Sequence, residues 1–187
     1  MCYRLLALLL LLQLSITQAH ASHEHASLGA HEHGAATLNV VLEDRTLEVE
    51  LETPAMNLVG FEHAATSAAD KARVVQVKER LRDPVALFGV PVAAGCRATA
   101  TKLDGALLEE EGPVHEDEHE DAAEEHGHSD IQARYKLVCQ HPESLTALDL
   151  TRFFELFPDT HKVSVQSIGP SGQHGFEATP GNPQLAL

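Results

Sequence analysis

Two runs near the start of the region 34–105 alternate apolar and polar residues with a period of two. Leu38, Val40 and Leu42 are spaced by Asn39 and Val41, and Leu47, Val49 and Leu51 by Glu48 and Glu50. Such a period puts successive side chains on opposite faces of a strand. With Glu43-Asp44-Arg45-Thr46 between them, the runs predict a β-hairpin with one wet face. Pro54 stops the second strand. The period then changes. Ser67 is placed to cap a helix running to about Arg82, Asp70 falls in its favourable first turn, and Val74, Val77 and Leu81 form its apolar stripe. Asp83-Pro84 ends it.

The period of two returns later. Cys96 to Leu103 reads as a strand, and Ile131, Ala133, Tyr135, Leu137 and Cys139 make a clearer one. Leu145 to Leu150 reads as another, followed by a helical turn through Phe153, Phe154 and Phe157. Val163, Val165 and Ile168 predict a further strand, Gly169-Pro170-Ser171-Gly172 a turn, and the chain around Phe176 a last strand. Pro180, Gly181 and Pro183 suggest a loose tail. The expected fold class is α+β: a mainly antiparallel sheet of about seven strands with about two helices and a long disordered acidic His-rich loop.

The first residues read as an export signal. Arg4 precedes an apolar run from Leu5 to Leu14 that gives way to Ser15, Thr17 and Gln18. At about ten residues the run is too short to span a bilayer, which needs about twenty. Ala19-His20-Ala21 fits a small-x-small cleavage pattern, so cleavage is expected after Ala21, with Ala19 as the alternative. The layout is then a signal peptide at 1–21 and a single metal-binding domain at 22–187. That domain has a His-rich lead at 22–33 and an acidic insert at 106–130. No later segment is long and apolar enough to enter a membrane, so a periplasmic, exported and soluble protein is expected. Export leaves Cys96 and Cys139 in an oxidising compartment, which reads as one disulfide, a pair of thiolate metal ligands being the alternative. If the strands that bear them pair antiparallel, the bridge lies at the base of a hairpin and the insert at its tip.

Charge narrows the function. The chain has 13 basic and 28 acidic residues, a formal net charge of −15. That argues against nucleic acid, which calls for a basic patch. Residues 109–130 hold eleven acids and no base. With almost no large apolar side chains, this stretch cannot bury enough surface to offset its ordering entropy. The outlying residue is His, 13 in 187. Carboxylates together with imidazoles point to transition-metal cations.

Most imidazoles are unprotonated at neutral pH and can donate a lone pair to zinc. His115 and His119 share one face of any helical turn, and His126 and His128 one side of an extended segment. These four are the candidate loop site. The lead adds His23 and His25, with His20 retained only if cleavage follows Ala19. A folded site needs donors converging from several segments. The candidates are His31, His33 and His63, with Glu62 or His161 as a possible fourth. His115-Glu116-Asp117-Glu118-His119 spells HExxH, but that motif works only on a packed helix, and the acidic tract has no apolar stripe. No enzyme activity is expected. Zinc is the expected metal. Copper(II) and nickel(II) also suit imidazole, whereas copper(I) favours thioethers and thiolates, of which the mature chain offers only Met56 and two cysteines.

The stretch His31-Glu32-His33-Gly34, the hairpin, Glu52-Thr53-Pro54-Ala55-Met56-Asn57, Gly60-Phe61-Glu62-His63 and the later Cys96 together resemble the ZrgA-type periplasmic zinc-uptake family of proteobacteria. The acidic His tract between two folded parts fits as well. The resemblance covers most of the mature chain, and its most specific part is residues 31–63. It implies zinc acquisition beside a high-affinity importer. The expected function is therefore zinc capture that assists uptake, with the importer or its solute-binding protein as partner. The alternative is a metal-buffering or tolerance protein for zinc, copper(II) or nickel(II).

Overall fold

In the computed structural model, residues 32–109 and 129–187 are described. Strand β1 (Ala35–Glu43) turns into β2 (Thr46–Pro54), and Leu38, Val40, Leu42, Leu47, Val49 and Leu51 are all buried, as their alternation requires. The turn takes two residues rather than four, because Glu43 still pairs with Thr46. Asp44 sits at φ 51, a left-handed conformation that Asp tolerates better than most residues.

Helix α1 (Ala55–Val59) follows β2 without a loop and ends at Gly60, whose φ of 85 suits a left-handed helix cap. Helix α2 (Ala68–Leu81) starts where Ser67 predicts. The Ser67 side chain accepts from the Asp70 amide and the Asp70 side chain accepts from the Ser67 amide, a capping box. Its buried residues are Val74, Val77 and Leu81. Asp83 caps the short α3 (Pro84–Leu87) through the Ala86 amide.

Strands β3 (Arg97–Asp104) and β4 (Asp130–Val138) pair antiparallel, and Cys96 is bonded to Cys139 at the base of that hairpin, the end away from its connection. Cys139 also exchanges hydrogen bonds with Arg45, its N–H to the Arg45 carbonyl at 2.8 Å and its carbonyl from Arg45 Nε at 2.9 Å. The bridge is thereby tied to the β1–β2 turn. At the other end of the hairpin, Leu107 and Leu108 are buried and Asp130 begins β4. Residues 110–128 lie outside the described residues.

The predicted strand at Leu145–Leu150 is shorter. Pro142–Ser144 form a 3-10 turn, and only Ala147–Asp149 are extended, as β5. Helix α4 (Thr151–Leu156) buries Phe153 and Phe154, with Phe157 just beyond it. Strands β6 (Lys162–Gly169) and β7 (Gly172–Ala178) form a third hairpin. The tail is not loose. Gln184–Ala186 form β8, pair with β5 and bury Leu185.

The main sheet has the order β3-β4-β2-β1-β6-β7. Every neighbouring pair is antiparallel except β1 and β6, which run parallel. One face of this sheet and the buried residues of the helices belong to a single apolar cluster. Phe88 meets Tyr135 edge-on across it, ring centres 5.5 Å apart. The other face is wet. Lys136 pairs with Glu48 at 2.9 Å, and Arg134 with Glu50 at 2.7 Å and Asp104 at 2.9 Å. Such exposed pairs contribute little stability but keep that face solvated.

Candidate metal centre

The parallel β1–β6 pairing brings the start of β1 against the chain that enters β6, and Asn57 of α1 is hydrogen-bonded to the start of β1. Glu32 to Ala35 form a tight turn in which the Ala35 amide donates to the Glu32 carbonyl at 3.0 Å. Gly34, third in the turn, has φ 85, a conformation that glycine adopts without cost. The Gly34 carbonyl accepts from the amides of His161 at 2.7 Å and Lys162 at 3.0 Å. The turn is therefore bonded to β6, and His33 projects from its corner.

His33 Nε2 lies 3.0 Å from a carboxylate oxygen of Glu62, which follows the Gly60 cap of α1 by two residues. The His33 side chain is 49% exposed and that of Glu62 17%. The pair thus combines an accessible imidazole with a half-buried carboxylate, a donor set that suits zinc. Lys162 Nζ lies 2.9 Å from Glu32, whose carboxylate holds the Lys162 ammonium above its ordinary value.

Other candidates lie close by without converging on the pair. The His161 ring is packed against Gly34, and the residue is exposed. The His63 ring stacks on Phe61 with centres 4.7 Å apart, and its Nδ1 lies 3.0 Å from the Ala64 carbonyl. It faces the start of α2. There the Asp70 carboxyl is held below its usual range, first by the Ser67 side chain, then by the Ser67 amide and the His63 charge. Among the described residues, no three His, Cys, Asp or Glu side chains come together to hold a metal ion. His20, His23, His25, His31, His115, His119, His126 and His128 lie outside the described residues.

The chain ends flanking those histidines do reach the pair. His31 is followed directly by Glu32 and His33. His128 is followed by Ser129, whose carbonyl accepts from the Ala55 amide at 2.7 Å and whose hydroxyl donates to the Glu62 carbonyl at 3.4 Å. The lead and the acidic tract therefore join the described fold beside the same two residues.

Asn57 is the residue here that periodicity does not reveal. A signal exists in hindsight: it interrupts the apolar run Ala55-Met56-Asn57-Leu58-Val59. An amide inside such a run is buried only with its hydrogen bonds made.

Comparison with protein-family models matches residues 30–187 to the ZrgA family zinc uptake protein. The chain belongs to this family. The role that follows is one in zinc uptake. Membership of the ZrgA family also associates the chain with zinc. A comparison with curated proteins found no match. Among the described residues no helix is long and apolar enough to cross a membrane.

Proposed function

We propose that this ZrgA-family protein captures zinc in the periplasm and passes it to a high-affinity importer or to that importer's solute-binding protein. One observation supports the reading above others. The segments that lead to His31 and from His128 meet the fold at the His33–Glu62 pair. An imidazole and a carboxylate on a locked scaffold supply part of a tetrahedral zinc site. The flanking histidines, His31, His126 and His128 nearest in sequence, supply more of the donors that zinc prefers.

The acidic tract has a separate part. Its carboxylates raise the local concentration of divalent cations, and His115, His119, His126 and His128 select transition metals from calcium and magnesium. A site that must order its own chain on binding is weaker than a prepared one. Zinc collected by the tract therefore passes to the folded pair, and from there to a tighter acceptor.

Cells lacking the protein, grown in chelator-treated medium, test the reading by uptake of radioactive zinc. Uptake should fall in the deletion strain and recover with the wild-type chain. It should not recover with the chain bearing His33→Ala and Glu62→Gln. Normal uptake at scarce zinc, with sensitivity only at zinc excess, would instead mark a buffering protein.

A further inference from the structure

We propose that Asn57 is the positioning residue of the zinc site, the group that holds His33 at its distance from Glu62. The inference rests on reading His33 and Glu62 as zinc ligands. Asn57 is 1% exposed and sits in the middle of α1. Its Oδ1 accepts from the Gly34 amide at 2.7 Å. Its Nδ2 donates to the Ala35 carbonyl at 2.8 Å and to Thr53 Oγ1 at 2.9 Å, and Thr53 is itself 1% exposed. A short side chain thus clamps the two backbone groups that follow His33.

The clamp is complete in a way that a purely packing residue is not. The Gly34 amide goes to Asn57 and the Gly34 carbonyl to β6, so both polar groups of that residue are held. The other end of α1 runs through Gly60 to Glu62. Both ligands are therefore referred to one short helix: His33 by side-chain hydrogen bonds at Asn57, Glu62 by the peptide chain five residues on. Removing the amide would leave the Gly34 N–H and the Ala35 carbonyl without these partners. The turn that aims His33 would then lose its register against α1, while the sheet and the apolar cluster keep their own contacts. Residues that orient a metal ligand in this manner change metal affinity more than they change the fold.

The experiment uses the full mature chain and reads His33 directly, from its imidazole nitrogen NMR signals, during titration with zinc buffered by nitrilotriacetate. Asn57→Ala should raise the free zinc needed for half-response at His33 by about tenfold to a hundredfold. Leu148→Ala, a truncation of the buried β5 residue, serves as the stability control and should leave that midpoint unmoved at a temperature where both variants are folded. Should Asn57→Ala fail to fold, Asn57→Asp keeps the acceptor for the Gly34 amide and loses the donor to Ala35. It should raise the midpoint by a smaller factor. A wild-type midpoint in a folded Asn57 variant, with Glu62→Gln shifting it, overturns the positioning role alone. A midpoint that Glu62→Gln leaves unmoved overturns the site itself, and the role of Asn57 falls with it.

Discussion

The His161 ring lies over Gly34 so closely that a Cβ built on the glycine would come within 2.7 Å of His161 Cδ2. Gly34 also has φ 85, so a side chain there is strained twice, by its own backbone and by the ring. Gly34→Ala should destabilise the protein by about 1–2 kcal/mol from the backbone conformation alone, with the contact added to that. The double variant Gly34→Ala with His161→Ala should recover the contact part and leave the backbone part. Urea unfolding of the four proteins measures both, since residues in contact combine non-additively. Strict additivity would show that the ring yields freely.

The bridge between Cys96 and Cys139 closes a loop with a sequence separation of 43. In the chain-entropy picture, cross-linking a loop of that length stabilises the fold by about 4 kcal/mol. Reduction, or Cys96→Ser with Cys139→Ser, should lower unfolding free energy by an amount of that order. Thiol titration of a chain of residues 22–187, prepared without reductant, should find no free thiol before reduction. A reduced form as stable as the oxidised one would mean that pairing of β3 with β4 already restricts the unfolded chain.

Acid should weaken the start of α2. The Asp70 carboxyl is held below its ordinary value of 3.8, first by the Ser67 side chain. A carboxyl lowered in the folded state adds stability that is complete above the unfolded value and is lost as pH falls through the folded one. The melting temperature of wild type should therefore exceed that of Asp70→Asn at neutral pH, and the gap should close below about pH 4. Melts of the two proteins across that range decide it; a gap independent of pH would assign the effect to the shape of the cap and not its charge.

Much of the scaffold was legible along the chain because its signals are local. Alternation in Leu38–Leu51 and Ile131–Cys139 predicts strands whose buried faces match residue for residue. Ser67 and Asp70 predict the capped helix for the same reason, since the hydrogen bonds join residues three apart. The parallel pairing of β1 with β6 was hidden, because strand order depends on contacts between distant segments and leaves no period. So was β8, where three residues are too few to show alternation. The candidate site divides likewise. His33 and Glu62 stood out by residue type, and the turn that unites them did not. It depends on Asn57, a polar residue whose partners in that turn lie more than 20 positions away.

The most direct test of the account is calorimetric titration with zinc at neutral pH. It compares the chain of residues 22–187, the same chain with His33→Ala and Glu62→Gln, and the chain lacking residues 110–128. The intact protein should show two classes of site, the tighter lost with His33 and Glu62 and the weaker lost with the tract. An isotherm unchanged by His33→Ala and Glu62→Gln, or an intact protein that takes up no zinc, would contradict it.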